Sequence, residues 1–276
     1  MQGIFSLVKR LLIRYTLFIH HYRLRKLFTP KNNSSYFCLL IRSMHYTNTM
    51  ILSSNHGNNT FAYDQRVQET WSASISIPSK KTIQSIDQVS LWNTCVFCER
   101  DDHGIVVSYI GLAHLYLFDH AVIFDNHNHA LYWWAWRRQQ HGLYPVIHID
   151  QHADLWTPLK PFARDKRDDM DYVWEYTQYY CTVGSFIQPA LTSGIITSCE
   201  QRRTEYAVLH NPIPDQPFIL DIDLDFRDPR MTNNHTHETI NRTKTLIQHA
   251  TFVTIATSPY FLDQSFALEV LRKLFD

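Results

Sequence analysis

Long apolar stretches are missing from this 276-residue sequence, and their absence excludes two classes of protein. The apolar residues near the start are interrupted by Lys9, Arg10 and Arg14, so no segment reaches the roughly 20 residues that a membrane span needs. A secretory signal peptide needs an unbroken apolar region and a small-residue cleavage site, and neither is present. We therefore expect neither a membrane span nor secretion.

Cysteine, glycine and proline are also scarce. The five cysteines are too few and too scattered for a disulfide framework, which favours a reducing compartment and a cytoplasmic location. Seven glycines and eleven prolines exclude collagen-like and low-complexity linker sequences. At 45% hydrophobic and 19% charged residues, the sequence is far too apolar for a disordered chain. Its length suits one large domain or two small ones.

Acidic residues are absent before Asp64, although the whole chain carries 26 basic and 26 acidic residues. The formal net charge of zero argues against a nucleic-acid-binding surface. Eight basic residues precede Asp64, so the remainder has 18 basic and 26 acidic residues and a formal charge of −8. The net charge of zero is therefore the sum of a basic leader and an acidic remainder of the chain.

We interpret residues 1–71 as a basic leader that is disordered or not native, and residues 72–276 as one α/β domain. Three explanations of the leader stay open. An organelle-targeting presequence is amphipathic, Arg-rich and poor in acidic residues, as this segment is. A basic helix on a membrane surface has a similar composition. Alternatively, translation begins at Met44 or Met50, and the leader is not part of the native protein.

From about Ser72 onward, apolar runs of strand length alternate with helical segments. The runs are Gly104–Ile110, Ala121–Phe124, Pro145–Ile149, Phe218–Ile222 and Phe252–Ala256. Near-continuous apolar runs are typical of parallel strands that are buried on both faces. Helices are predicted over Asn128–Gln140 with a stop at Gly142, over His235–His249, and after a cap at Asp263. The alternation predicts a three-layer α/β/α domain with a mainly parallel sheet.

One of these strands runs directly into a D-x-H-x-D motif formed by Asp150, His152 and Asp154. In extended chain, side chains at i, i+2 and i+4 point to the same side. Two carboxylates and an imidazole at the end of a sheet are costly unless a cation neutralises them, and a divalent metal does so with these ligand types. The alternative is a polar strand end with a surface turn.

A second strand ends in the same way, which favours the metal site over the surface turn. Asp221, Asp223 and Asp225 follow one another at alternate positions, and Asp228-Pro229 comes next. Parallel strands place their carboxyl ends at one crevice, where such folds bind ligands. A third strand, Ala121–Phe124, is followed by His127 and His129.

D-x-H-x-D followed by D-x-D-x-x-D-P resembles the motifs of the arginase–deacetylase superfamily, and the spacing of 23 residues from His127 to Asp150 is similar to that in arginases. The segments DNHNHAL, HIDQHADLW and DIDLDF also resemble an uncharacterised family of this fold. The resemblance covers roughly residues 85–276. It implies an arginase-like α/β/α fold and a small-molecule substrate, without indicating an oligomeric state.

The resemblance further implies two metal ions, with Mn expected and Zn or Fe as alternatives. The implied ligands form two sets that share Asp150 and Asp223: His127, Asp150, Asp154 and Asp223, then Asp150, His152, Asp223 and Asp225. The ions would activate a bridging water as the nucleophile, and Asp154 would take up its proton, as the implied catalytic residue. The expected hydrogen-bonding partners of these ligands are His129, His148 and Asp221.

The sequence departs from arginases at two places. Ala256 stands where their guanidinium-binding Glu would be, and no His between Leu155 and Leu209 matches their proton-shuttling His. We therefore expect a metal-dependent hydrolase that acts on a non-peptide carbon–nitrogen bond of a substrate other than arginine. A non-catalytic metal-binding protein of the same fold and a metal-dependent phosphoesterase are the alternatives.

Overall fold

The computed structural model describes residues 45–52, 75–100, 106–158, 160–228 and 237–276, without the side chains of residues 52, 75 and 93–108. Contacts divide the chain into two units, Met1–Arg42 and Ser43–Asp276, and all the described residues belong to the second. Among the helices that the structure describes, none has the length and apolar composition needed to cross a bilayer.

The described part of the chain contains the following elements. The strands are β1 (Met50–Leu52), β2 (Ile75–Ile77), β3 (Lys80–Thr82), β4 (Leu91–Arg100), β5 (Val106–Leu112), β6 (Leu115–Phe118), β7 (Ala121–Phe124), β8 (Val146–Ile149), β9 (Cys199–Arg202), β10 (Ile219–Asp223) and β11 (Phe252–Ala256). The α-helices are α1 (His129–His141), α2 (Met170–Tyr179), α3 (Ile187–Ser193), α4 (Glu205–His210), α5 (His237–His249) and α6 (Gln264–Phe275).

Seven strands form the main sheet, in the order β3-β6-β7-β11-β10-β8-β9. The five strands from β7 to β9 are mutually parallel, whereas β6 runs antiparallel to β7. The two carboxylate-tipped strands, β8 and β10, are direct neighbours, with Ile149 opposite Ile222. The mainly parallel sheet predicted from the sequence is confirmed.

The two faces of this sheet have different chemistry. On one face, Ile147, Leu220 and Ile255 belong to a large apolar core that includes residues of α4, α5 and α6. The opposite face packs against α1 and the start of α3. There, the Trp134 indole donates a hydrogen bond to Thr254 Oγ1 at 3.1 Å, and the ring centroid of Phe186 lies 6.3 Å from that of His148. Helices therefore cover both faces, which gives the expected three layers.

Four of the five predicted strands agree with the structure to within one residue at each end. The exception is the apolar run at 104–110, which is wrong as a strand of the parallel sheet. It contributes to β5, which pairs antiparallel with β4 in a separate two-stranded sheet. Ile110 is 48% exposed, because a ribbon outside the main sheet is not covered on both faces. An apolar run does not by itself specify its pairing partner.

Residues 45–52 lie within the α/β unit, although the charge pattern groups them with the leader. Tyr46 is 4% exposed, and its hydroxyl lies 2.9 Å from His129 Nδ1 and accepts a hydrogen bond from Gln178 at 3.0 Å. Strand β1 pairs antiparallel with β2. The remainder of the predicted leader lies outside the described residues, and its nature stays a prediction.

The predicted helix signals at Gly142 and Asp263 are confirmed. Gly142 follows α1 with a φ of 95°, a region that favours glycine, and its N–H donates to the Arg138 carbonyl at 2.8 Å. The Asp263 side chain accepts a hydrogen bond from the Phe266 N–H at 3.1 Å at the start of α6. Both helices therefore have defined ends near the sheet.

We expect Asp263→Ala to destabilise the protein by about 1 kcal/mol, because a free N–H of α6 loses its cap. Asp263→Asn is the matched control, since asparagine caps about as well as aspartate. Urea denaturation measures both variants. Equal losses of stability in the two variants would contradict the capping role.

Candidate metal centre

The predicted ligands come together at the carboxyl edge of the parallel strands. Asp150 directly follows β8, Asp223 is the last residue of β10, and His127 lies in the turn between β7 and α1. Because these strands are parallel, their carboxyl ends share one edge of the sheet. Two segments that are 73 residues apart in the sequence therefore place their carboxylates side by side.

Two tight turns bring the next ligand candidates to the same place. Asp150 Oδ1 accepts the backbone N–H of His152 at 2.6 Å, and Asp223 Oδ1 accepts the N–H of Asp225 at 3.0 Å. In both turns an aspartate at the strand end binds the backbone two residues later, which is a turn that aspartate favours. The expectation of an extended D-x-H-x-D segment is therefore wrong, because β8 ends at Ile149 and the side chains converge through turns.

Two non-glycine residues at this edge of the sheet have a positive φ. Asp154 has a φ of 50° and Ser258 a φ of 47°. This left-handed conformation costs free energy in residues with a side chain, and such costs cluster at functional sites. Ser258 Oγ donates a hydrogen bond to Asp223 Oδ2 at 2.6 Å, so one of the strained residues directly holds a ligand candidate.

The first set of donor atoms surrounds His127. Its Nδ1 lies 3.3 Å from Asp150 Oδ2, 3.2 Å from Asp154 Oδ2 and 3.1 Å from Asp223 Oδ2. These four residues are the ones that the resemblance implies for one metal. His127 and Asp150 are almost completely buried. The donors therefore face each other in a space shielded from water.

The second set is centred on His152. Its Nδ1 lies 2.9 Å from Asp225 Oδ2 and 3.4 Å from Asp150 Oδ1. Asp150 thus directs one oxygen to each set, as expected for a bridging ligand. Among the described residues, the donor group of this second set comprises Asp150, His152 and Asp225, whereas Asp223 groups with His127. The structure therefore does not bring Asp223 into both sets.

A row of polar residues across three strands contacts His127 on the side opposite the first donor set, through its Nε2. Asp221 Oδ2 lies 2.9 Å from His127 Nε2 and 2.7 Å from His148 Nδ1, and Asp221 Oδ1 accepts a hydrogen bond from Thr254 Oγ1 at 2.5 Å. His148, Asp221 and Thr254 are register partners on β8, β10 and β11. A carboxylate acceptor places the His127 proton on Nε2, so the Nδ1 lone pair points to the first donor set.

The pKa values of the imidazoles show how much negative charge surrounds them. The nearby carboxylates of Asp150 and Asp225 raise the pKa of His152 to about 11. Burial lowers the pKa of His148, but contacts with Asp150 and Asp221 outweigh it and raise the value to about 10. Each imidazole is therefore strongly drawn toward the charged form.

The carboxylates differ in how well this charge is compensated. Burial tends to raise the pKa of Asp221, but His127 and then His148 lower it to about 2. Burial and the neighbouring Asp150 raise the pKa of Asp154 to about 7. Burial, then Asp223 and Asp150, raise the pKa of Asp225 well above its usual range. The imidazoles thus compensate Asp221 well, but Asp154 and Asp225 incompletely.

We call the eight residues of this edge the acidic cluster; its members are His127, His148, Asp150, His152, Asp154, Asp221, Asp223 and Asp225. Five carboxylates face three imidazoles, so with every group ionised the cluster has a formal charge of −2. Several buried atoms also lack a hydrogen bond of good geometry: His127 Nδ1, His148 Nε2, Asp150 Oδ2 and both oxygens of Asp225. Convergent, unpaired oxygen and nitrogen donors with excess negative charge fit divalent cations.

His129 does not belong to this arrangement, contrary to its predicted role as a partner of the ligands. Its Nδ1 lies 2.9 Å from the Tyr46 hydroxyl, and its ring contacts Phe124 and Tyr46 edge-on. Burial lowers the pKa of His129 to about 3, which keeps it neutral. A residue two positions after His127 at a helix start points in a different direction, so it packs among aromatic side chains instead.

A cavity of about 220 Å³ opens next to the acidic cluster, and His152, Asp154 and Asp223 form part of its wall. The side chain of His152 is 38% exposed, whereas that of Asp150 is fully buried. The remaining wall residues are Ala153, Trp156, Val183, Gly184, Arg203 and Phe261. A small molecule can therefore reach the cluster from the side of His152.

Sequence patterns did not assign a role to three residues of this site. Ser258 and Thr254 hold Asp223 and Asp221, but a hydroxyl side chain gives no signal of such a contact in one sequence. Arg203 follows β9, a short polar strand that lacks the apolar run by which the other parallel strands were predicted. The D-x-H-x-D and D-x-D motifs indicated the edge of the sheet, but not what surrounds it.

No protein-family model and no curated protein matches the sequence. Among solved structures, the chain is similar to proclavaminate amidino hydrolase from Streptomyces clavuligerus, with 14% identity, a TM-score of 0.37 and coverage of 58% of this chain and 61% of that chain. It is also similar to formimidoylglutamase from Bacillus subtilis, with 12% identity, a TM-score of 0.38 and coverage of 59% and 61%. The match thus spans less than two thirds of either solved chain, and likenesses this weak carry no argument about activity. Membership of an uncharacterised family of this fold stays a prediction.

We expect Asp221→Asn to destabilise the metal-free protein by about 3 kcal/mol or more, because a buried carboxylate that compensates two imidazoles is lost. Since the pKa of Asp221 is lowered to about 2, its charged form stabilises the fold above pH about 4, and this contribution is lost as the pH falls toward 2. Urea denaturation at pH 7 with a chelator measures the effect. Asp215→Asn, at an exposed carboxylate, is the control. Equal stability of the two variants would contradict the role of Asp221.

Proposed function

We propose that the acidic cluster binds two divalent metal ions, with manganese as the expected metal and zinc or iron as alternatives. His127, Asp150, Asp154 and Asp223 would hold one ion. Asp150, His152 and Asp225 would hold the other; the resemblance implies Asp223 there as well, but in this structure Asp223 groups only with the first set. The carboxylate-rich donor set suits manganese.

The observation that carries this proposal is the division of Asp150 between two donor sets. Its Oδ2 faces His127 and its Oδ1 faces His152, so one buried carboxylate serves both sides. The raised pKa values of Asp154 and Asp225 support the same conclusion, because the imidazoles leave these groups without full compensation. Two divalent ions would supply the missing positive charge.

We propose further that the protein is a hydrolase of a non-peptide carbon–nitrogen bond. Support comes from the motif resemblance to the arginase–deacetylase superfamily and from the cavity beside the cluster. Bound ions would supply Lewis-acid activation of a water molecule and of the substrate. In the reaction the water oxygen adds to the substrate carbon, the carbon–nitrogen bond breaks, and the nitrogen leaves with a proton.

Asp154 is the residue that we assign to proton transfer. It lies on the cavity wall, is 7% exposed and has a pKa raised to about 7 by burial and Asp150. Bound cations would lower this value, and the carboxylate would then accept the proton of an attacking water. Ala256, at the end of β11, offers no carboxylate for a guanidinium group, so arginine is not the substrate that we propose.

Metal analysis of the purified protein tests the metal centre. We expect close to two divalent ions per chain in the wild type and a large loss in Asp150→Asn and Asp223→Asn, because each variant removes a shared or central donor. Mass spectrometry of the metals, combined with dialysis against manganese, measures the stoichiometry.

Asp215→Asn is the matched control. It removes a carboxylate that is exposed, whereas the carboxylates of the donor sets are buried. It should keep the wild-type metal content. A wild type without stoichiometric divalent metal, or undiminished metal in Asp150→Asn and Asp223→Asn, would falsify the proposed centre.

Activity is tested separately on the manganese-loaded protein with ureas, amides, acyl-amines and phosphoesters. We expect turnover within the first three classes, detected as released ammonia or amine. At a metal content matched to the wild type, Asp154→Asn should lose at least 100-fold because a proton acceptor is removed. Turnover of phosphoesters alone would indicate a phosphoesterase instead. Persistent inactivity despite full metal loading would favour a non-catalytic metal-binding protein.

A further inference from the structure

The wall of the cavity beside the acidic cluster has two chemically different parts. Its cluster side consists of His152, Asp154 and Asp223, which the proposed function uses as metal ligands. The rest of the wall is made of small or apolar residues and a single arginine, Arg203. This composition bears on which molecules the cavity can hold.

Arg203 is fixed at the mouth of the cavity. Its Nε and Nη2 donate hydrogen bonds to the Gln151 carbonyl at 3.0 and 2.8 Å, so the guanidinium is held beside the turn that carries His152. The side chain is exposed, and its Nη1 makes no hydrogen bond with the residues that the structure describes. Arg203 is therefore a permanent positive charge with an available donor that is already oriented.

The same cavity wall has an aromatic part. Trp156 is 57% exposed, and its backbone N–H donates to the Gly184 carbonyl at 2.9 Å. A Cβ at Gly184 would lie 3.3 Å from Cε3 of the Trp156 ring, so the absence of a side chain there lets the indole lie close against the chain. Phe261 contributes a second ring, whose centroid lies 4.8 Å from that of His152.

We propose that the substrate combines an anionic group, which pairs with Arg203, with an apolar group that lies against Trp156 and Phe261. This inference rests on the proposed function and names its substrate class: an amide or acyl-amine that carries a carboxylate or a similar anion. Apart from Asp154 and Asp223, the cavity wall has no acidic residue. A cationic substrate would therefore be repelled by Arg203, and it would find no carboxylate on the wall besides the two proposed metal ligands.

Calorimetric titration of the manganese-loaded protein tests this class through binding alone. The probes share one phenyl body: 3-phenylpropanoate, 3-phenylpropylamine and 3-phenylpropan-1-ol. We expect the carboxylate to bind most tightly, and Arg203→Gln to weaken it about tenfold while leaving the alcohol unchanged, because only a charge-assisted hydrogen bond is lost. Arg203→Lys, which keeps the charge but loses the planar fork, should lie between the two.

Arg272→Gln is the matched control, because Arg272 is exposed and pairs with Asp87 on a different part of the unit. It should bind all three probes like the wild type. Phenyl phosphate, as a fourth probe, shows whether the anion held by Arg203 is a carboxylate or a phosphate. A preference for the carboxylate would support the amide class named above, and a preference for the phosphate would overturn it.

Three further results would overturn the inference: equal affinity of wild type and Arg203→Gln for the carboxylate, tighter binding of the amine, or loss of metal from Arg203→Gln. The last result would assign Arg203 to holding the Gln151 turn instead of the ligand. If the purified protein holds no metal, the proposed metal centre is wrong. The same titration can still be carried out on the metal-free protein, and it then tests the role of Arg203 separately. The two failures are therefore distinguishable.

Discussion

Burial of five carboxylates at one edge of a sheet is the constraint on which the rest of this structure depends. Three imidazoles cannot neutralise them, and burial, together with the neighbouring carboxylates, raises the pKa of Asp154 and Asp225. The surrounding chain reduces the cost by supplying hydrogen bonds from Thr254 and Ser258 and from the backbone of both turns. A fold would hardly retain such an arrangement for stability alone, because apolar residues would pack there at lower cost.

The asymmetry of the sheet explains how this cost is tolerated. One face is apolar, and together with α4, α5 and α6 it forms the large core that stabilises the domain. The other face carries the row His148, Asp221 and Thr254 across three strands, covered by Trp134 and Phe186. Trp134 and Phe186 are themselves fully buried. Both sides of the sheet therefore bury apolar side chains, and the second side also orients His127. Alternation along each strand makes this division possible, since neighbouring residues point to opposite faces.

The sequence predicts this fold well where the physics is local and repetitive. The strands at 121–124 and 252–256 match the structure because apolar runs bounded by polar residues report burial. The meeting of Asp150 and Asp223 follows from parallel strands sharing an edge. The direction of His129, the separate pairing of β5 and the packing of Tyr46 depend on partners distant in sequence, which a single chain does not reveal. The backbone conformation of Ser258 could not be predicted either, because nothing in its residue type indicates a positive φ.

The charge balance of the site links the two proposals. With neutral imidazoles, the five carboxylates would repel any anion near the cavity. Two divalent cations would reduce their formal charge of −5 to −1, and Arg203 on the cavity wall would balance the remaining unit. Metal binding would therefore favour an anionic substrate, and by reciprocity such a substrate would favour retention of the metals. The acidic excess of the chain after the leader, which a net charge of zero conceals, becomes intelligible in this way: a large part of it is concentrated where cations are required before the substrate can approach.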